Sequence, residues 1–203
     1  MIACRVEELC RAVGGKLLQG GAETFTGMST DSRHITPGDL FIPLVGERLD
    51  GHVYLDKALM SGAAGCLTEK MPEKMIPGKF YIHVNDTLAG LQDMAGWYRS
   101  LFPIPMVQIT GSAGKTTTKE MVAAVLMQHG PILKTEANYN NQIGVPQTLV
   151  CLAPEHWAAV IETGIHCAGQ LRALGKWCAR RSPLSPISAT PILKIWAIPV
   201  WAR

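Results

Sequence analysis

No stretch of this 203-residue sequence reaches the roughly 18 consecutive apolar residues of a membrane-spanning helix. Its start carries Glu7 and Glu8 and lacks the apolar run of a secretory signal. A cytoplasmic protein with no membrane insertion is expected. Charge of one sign is also lacking: 19 Lys and Arg against 16 Asp and Glu leave a net +3, and no Lys/Arg-rich stripe interleaves with aromatics. That favours small anionic ligands over nucleic acid. The six cysteines, Cys4, Cys10, Cys66, Cys151, Cys167 and Cys178, include no Cys-x-x-Cys pair, which argues against a zinc knuckle and a disulfide framework. His52, His83, His156 and His166 lack metal-ligand spacing and are read as structural or surface histidines. What is present, 47% hydrophobic and 17% charged residues, excludes a disordered chain and suits an α/β protein with room for two small domains.

Apolar spacing over residues 6–13, stopped by Gly14 and Gly15, predicts a short helix. Residues 40–45 and 79–84 read as strands, and residues 54–60 as a helix ending near Gly62. A helix over 87–101 stops at Pro103 and Pro105, which mark a candidate domain boundary. Residues 106–110 then form a strand running into a glycine loop, and 116–128 a helix, the βα opening of a nucleotide-binding sheet. A further strand over 158–162 ends in Glu162, at the edge where ligands of open α/β sheets gather.

A triphosphate needs close backbone N–H groups, a cation and a metal-holding hydroxyl. Gly111-Ser112-Ala113-Gly114-Lys115-Thr116-Thr117 supplies them. Gly111 and Gly114 give room, Lys115 reaches the β- and γ-phosphates, and Thr116 holds Mg²⁺. Ile109 stands where the common phosphate loop has its first glycine. The strand before the loop and the helix after it argue against a chance Gly-x-x-Gly-Lys-Thr turn.

The run Thr110-Gly111-Ser112-Ala113-Gly114-Lys115-Thr116-Thr117-Thr118-Lys119-Glu120-Met121 resembles the ATP loop of the Mur ligases of bacterial cell-wall synthesis. It is most similar to the type adding D-alanyl-D-alanine to UDP-N-acetylmuramoyl-tripeptide. Asn138-Tyr139-Asn140-Asn141-Gln142-Ile143-Gly144-Val145-Pro146 resembles that type's central-domain motif. Ser29-Thr30-Asp31-Ser32-Arg33, Pro37-Gly38-Asp39-Leu40-Phe41 and Asp50-Gly51-His52 resemble the family's N-terminal UDP-sugar domain. The family departs at Ala113, commonly Asn, at Ala137, commonly Gly, and across 164–170.

The resemblance implies a small UDP-sugar-binding α/β domain over 1–84, a connecting helix and linker over 85–105, and a partial P-loop ATPase domain with a mostly parallel sheet over 106–178. It implies ATP and Mg²⁺ as cofactors, with Lys115 and Glu162 catalytic and Thr116 and Glu162 on the metal. A surface carboxylate is the other reading of Glu162. Ser29, Thr30, Asp31 and Arg33 are expected to bind a uridine nucleotide, although Asp31, Ser32 and Arg33 could simply form a capped turn with an ion pair. Asn138 and Asn141, with Asn140 beside them, either contact substrate or satisfy a turn, since asparagine bonds its own backbone. The implied reaction is ATP-dependent amide formation through an acyl phosphate by a monomer, with a UDP-N-acetylmuramoyl-peptide and D-alanyl-D-alanine as substrates. The alternatives are another Mur or folylpolyglutamate-type amide ligase, which the Asn-rich run disfavours, and a non-catalytic nucleotide-binding fragment.

From Arg180 onward the helix and strand patterning lapses. Codons compatible with residues 185–202, read two bases later, spell Thr-Asn-Ile-Gly-Asp-Ser-His, which resembles the family's next motif with its metal-binding histidine. Residues 179–203 are therefore expected to be an out-of-frame tail, with the slip between about Lys176 and Ser182. The metal histidine, a carbamylated lysine and the third domain of the family are not recognisable, so undetectable ligase activity is expected. A genuine divergent tail is the alternative.

Overall fold

The computed structural model describes residues 1–164, 186–189 and 193–198. The chain divides into two compact units, Met1–Met94 and Ala95–Arg203. His166, Cys167, Cys178 and the expected slip lie outside the described residues.

In the first unit the order is β1 (Cys4–Arg5), α1 (Val6–Ala12), β2 (Lys16–Gln19), β3 (Thr24–Phe25), β4 (Gly27–Ser29), β5 (Asp39–Phe41), a 3₁₀ turn (Gly51–Tyr54), α2 (Leu55–Met60), β6 (Gly65–Thr68) and β7 (Phe80–His83). A five-stranded sheet runs β2-β7-β6-β5-β4. Its strands β7, β6, β5 and β4 are parallel and β2 is antiparallel to β7. Phe41, Cys66 and Tyr81 from the sheet pack with Leu55, Ala58 and Leu59 from α2, so the alternation of strand and helix becomes a sheet with a helix on its face.

Glu7 and Glu8 sit in the first turn of α1, where the helix dipole favours acids. Two elements are shorter than their sequence pattern. The strand expected over 40–45 pairs in the ladder only to Phe41. Ile42 still donates to the Ser29 carbonyl at 2.9 Å, but Pro43 has no N–H with which to continue. The helix expected over 54–60 is preceded by the 3₁₀ turn because Asp50 accepts from the His52 N–H at 2.9 Å and caps that turn.

The helix α3 (Thr87–Ser100) ends before Pro103 as expected, and the division between the units falls within it. The second unit continues with β8 (Met106–Gly111), α4 (Lys115–Met127), β9 (Ile132–Lys134), α5 (Gly144–Leu149), β10 (Ala158–Glu162), β11 (Pro186–Ala189) and β12 (Leu193–Ile198). Its sheet runs β11-β12-β8-β10-β9. It is parallel across β8, β10 and β9, with Glu162 level with Ile109. Ala123 of α4 packs on Ile109 and Val160. The expectation that strand patterning lapses after Arg180 is corrected by β11 and β12, which extend the sheet antiparallel beside β8. The run Leu-Lys-Ile-Trp-Ala-Ile is rich in strand-favouring residues, and Pro186 is tolerated as the first residue of an edge strand. Among the described residues no helix is long and apolar enough to cross a membrane.

Candidate nucleotide site

The loop after β8 turns on Gly114, whose φ of 74° is the left-handed conformation that glycine adopts without a Cβ penalty. The helix α4 starts immediately afterwards at Lys115, so residues of the predicted phosphate loop surround its N-terminus. Ser112, Ala113, Thr116 and Thr117 are exposed. The Lys115 ammonium donates to the Gly111 carbonyl at 2.8 Å, which keeps the cation over the loop.

Glu162 closes β10 one strand away. It is 2% exposed, which rules out the surface-carboxylate reading. Its Oε2 accepts from the Thr116 hydroxyl at 3.0 Å and its Oε1 from Asn140 Nδ2 at 2.9 Å. Parallel strands put this carboxylate and the loop at the same edge of the sheet, the C-terminal one where β8 and β10 end. A hydroxyl and a carboxylate converging there are hard oxygen donors of the kind Mg²⁺ takes. Among the described residues no group of three His, Cys, Asp or Glu could hold a metal by itself, so phosphate oxygens and water would have to complete a magnesium sphere.

The three asparagines separate. Asn141 Oδ1 accepts the N–H groups of Ile143 and Gly144 at 2.9 and 2.8 Å, which is the turn role. Asn138 is exposed, and its carbonyl accepts the Asn140 N–H at 2.7 Å. Asn140 is the member that reaches Glu162, while its carbonyl accepts from Gly164 N–H at 2.7 Å. Gly144 lets the loop fold tightly, since a Cβ there would meet Tyr139 Cα at 2.6 Å. Ala137 takes φ 45°, a left-handed conformation that explains why glycine is the common family residue there. Sequence reasoning did not single out Asn140, because three asparagines in four positions carry no internal signal of which one turns inward. Lys119 and Thr135 are both buried, with the Thr135 hydroxyl on the Glu162 N–H and the Lys119 ammonium on the Thr135 carbonyl. They were missed because each stands between polar neighbours, Thr118 and Glu120 or Lys134 and Glu136, and so reads as surface.

In the first unit Ser29 Oγ accepts from Asp31 N–H at 3.0 Å, and Asp31 Oδ1 accepts from Arg33 N–H at 2.9 Å. The Arg33 guanidinium binds the same carboxylate through Nε and Nη2. Its hydrogen bonds, helped by His34, hold the Asp31 carboxyl well below the usual range. This is the capped turn with an ion pair, built at the C-terminal end of β4. His52 is a cross-link. Its Nε2 accepts from Glu69 N–H at 3.0 Å, so the Nδ1 proton is donated to Asp50 at 2.6 Å. Glu69 in turn caps α3 by accepting from the Thr87 N–H and hydroxyl at 2.7 and 2.8 Å. The sequence offered no signal for Glu69, which lies 18 residues from the helix it caps.

Comparison with known proteins gives the family. Residues 24–127 match the model of the Mur ligase family, catalytic domain, and residues 109–180 match the Mur ligase middle domain. The UDP-N-acetylmuramoyl-tripeptide–D-alanyl-D-alanine ligase of Synechocystis is 46% identical over 145 residues, covering 71% of this chain and 32% of that protein. The structure of the UDP-N-acetylmuramoylalanyl-D-glutamyl-2,6-diaminopimelate–D-alanyl-D-alanyl ligase of Acinetobacter baumannii superposes with a TM-score of 0.80 at 31% identity, over 87% of this chain and 40% of that one. The MurF ligase of Thermotoga maritima in complex with ADP gives 0.67 at 28% identity, over 74% and 35%. The chain thus spans between about 30% and 40% of the length of the relatives it matches. With the loop, the acid facing it and more than half of its residues matched, the chain belongs to the Mur ligase family.

Proposed function

We propose that this chain is part of an ATP-dependent amide ligase of peptidoglycan precursor synthesis, adding D-alanyl-D-alanine to UDP-N-acetylmuramoyl-tripeptide through an acyl phosphate. The observation that carries the reading is the pairing of Thr116 with Glu162 across the mouth of the Lys115 loop. In this reading Gly111, Ser112, Ala113, Gly114 and Thr117 wrap the ATP phosphates with backbone N–H groups, and Lys115 swings from the Gly111 carbonyl to the β- and γ-phosphates. Thr116 and Glu162 would hold Mg²⁺, whose bound charge would offset that on the transferring phosphoryl oxygens. Asn140 orients the Glu162 carboxylate. The ADP bound by the Thermotoga maritima relative supports the choice of nucleotide.

Ser29, Thr30, Asp31 and Arg33 are assigned to the UDP-sugar within residues 1–84, and Asn138 and Asn141 to the substrate side of the ATP-binding part within residues 106–178. The protein is then a cytoplasmic monomer. Calorimetry on the 203-residue chain tests the reading with two ligands, Mg²⁺-ATP and UDP-N-acetylmuramoyl-tripeptide. Each is expected to bind without displacing the other, and Arg33→Ala should weaken only the second. Binding of neither ligand, or mutual displacement, overturns the two-site assignment.

A further inference from the structure

Lys119 lies one helical turn beyond Lys115 and Thr116, on the face of α4 turned toward the sheet. It is 2% exposed. An ammonium is seldom buried without paired partners, and this one has two. Its Nζ donates to the Thr135 carbonyl at 2.7 Å and lies 3.1 Å from Glu120 Oε1. Glu120 is tied in turn to Lys134 at 2.7 Å, and Lys134 is the last residue of β9.

Thr135 is fully buried and continues where the β9–β10 ladder stops at Lys134 and Val160. Its N–H donates to the Val160 carbonyl at 3.0 Å. Its hydroxyl accepts the Glu162 N–H at 2.9 Å. One unbroken chain of contacts therefore runs from α4 through the Lys119 ammonium and Thr135 to the backbone of Glu162. A second closes the ring from the Glu162 carboxylate back to Thr116 on the same helix.

We propose that Lys119 and Thr135 are positioning residues that set the distance between the phosphate-loop helix and the Glu162 carboxylate, and so govern metal-assisted nucleotide binding. The inference rests on the nucleotide reading above. Neither residue touches the phosphates or the metal in this assignment. Glu162 sits at the tip of its strand, and beyond β10 only Asn140, Thr116 and Thr135 among the described residues bond it. Losing the bond from the backbone side would let the strand tip shift while the loop that holds the phosphates stays intact.

The test compares wild type with Lys119→Met, Thr135→Val and Thr135→Ser in the full 203-residue chain. Calorimetry gives the ATP affinity in Mg²⁺ and in EDTA, and hydrogen exchange without ligand gives the protection of the Glu162 amide. Lys119→Met and Thr135→Val are expected to cut the Mg²⁺-dependent gain in affinity at least about fivefold, in the range of coupling between linked sites. Affinity in EDTA should stay within about twofold, because the loop is untouched. Thr135→Val should accelerate exchange at the Glu162 amide, and Thr135→Ser, which keeps the acceptor, should restore both readouts. An unchanged Mg²⁺ gain in the folded variants overturns the proposal, as does an equal loss in Mg²⁺ and EDTA. If Lys119→Met does not fold, the Thr135 pair decides. If wild type binds no ATP, the nucleotide reading fails, while an unprotected Glu162 amide in wild type, or equal exchange in wild type and Thr135→Val, refutes the strut separately.

Discussion

Replacing Glu162 with glutamine separates what this residue does for the fold from what it does for the ligand. The carboxylate is 2% exposed and its described side-chain partners, Thr116 and Asn140, are neutral. Burial of an ion without a counter-charge disfavours the fold by several kcal/mol even after relaxation. Glu162→Gln relieves that term. Against it stand two hydrogen bonds to a charged acceptor that become neutral ones, a loss of about 1 kcal/mol each. The balance is a net stabilisation of about 1–2 kcal/mol, or a Tm raised by about 2–8 °C for a chain of this size. Metal chemistry moves the other way, because an amide is a far weaker Mg²⁺ ligand than a carboxylate. The Mg²⁺-dependent gain in ATP affinity is expected to fall by at least about tenfold, or 1.4 kcal/mol. Differential scanning calorimetry without ligand, paired with titration calorimetry with and without Mg²⁺, reads both effects. A Tm lowered by the substitution, or an undiminished Mg²⁺ gain, refutes the reasoning. This opposition of stability and function is what a buried active-site charge should produce.

Three further outcomes are expected. Ala137→Gly relieves the left-handed strain at φ 45° and should raise stability by about 0.5–1 kcal/mol in urea unfolding; a loss of stability would show that the alanine is accommodated without strain. The Asp50 carboxyl is held well below its usual range, first by the Lys70 ammonium and then by the His52 backbone and ring. Because this folded-state value is depressed, the stability it contributes is present above about pH 4, the unfolded value, and is lost as pH falls through the lower folded value. The stability gap between wild type and Asp50→Asn should therefore narrow below pH 4, and a gap constant from pH 6 to pH 2 would contradict the pairing. The family match reaches residue 180, so sequencing the gene across codons 176–202 should reveal the slip between codons 176 and 182, with Thr-Asn-Ile-Gly-x-x-His encoded two bases out of frame from codon 185. An alternative frame with no family-like reading would refute it.

The phosphate loop, the strand before it and the helix after it were legible because a continuous local run carries them. Residues 158–162 form β10 with the predicted bounds, since an apolar run ending in an acid is a strong local signal. The short elements β2, β4, β6 and β9 were not legible, for strands of three or four residues hold too few alternations to distinguish from loop, whereas the equally short β5 and β7 lie in the longer hydrophobic runs 40–45 and 79–84. Proline set limits the hydrophobic pattern alone does not show, as at Pro43. In the site, Lys115, Thr116 and Glu162 could be named because each belongs to a motif or a strand end. The choice of Asn140 over its neighbours, and the entry of Lys119 and Thr135, depend on pairings 16–27 residues apart. Such pairings exist only once the sheet register is fixed. The two strands after residue 185 were overlooked because a tail that does not resemble the family still contains strand-favouring residues beside an available edge.

The central claim is that the Lys115 loop binds the phosphates of ATP. Isothermal titration calorimetry of Mg²⁺-ATP into wild type and Lys115→Ala, with circular dichroism as the control for folding, tests it most directly. Removal of the ammonium that now rests on the Gly111 carbonyl is expected to weaken binding at least about a hundredfold, or about 2.7 kcal/mol, with an unchanged circular dichroism spectrum. Equal affinity of the two folded proteins for Mg²⁺-ATP would contradict the account.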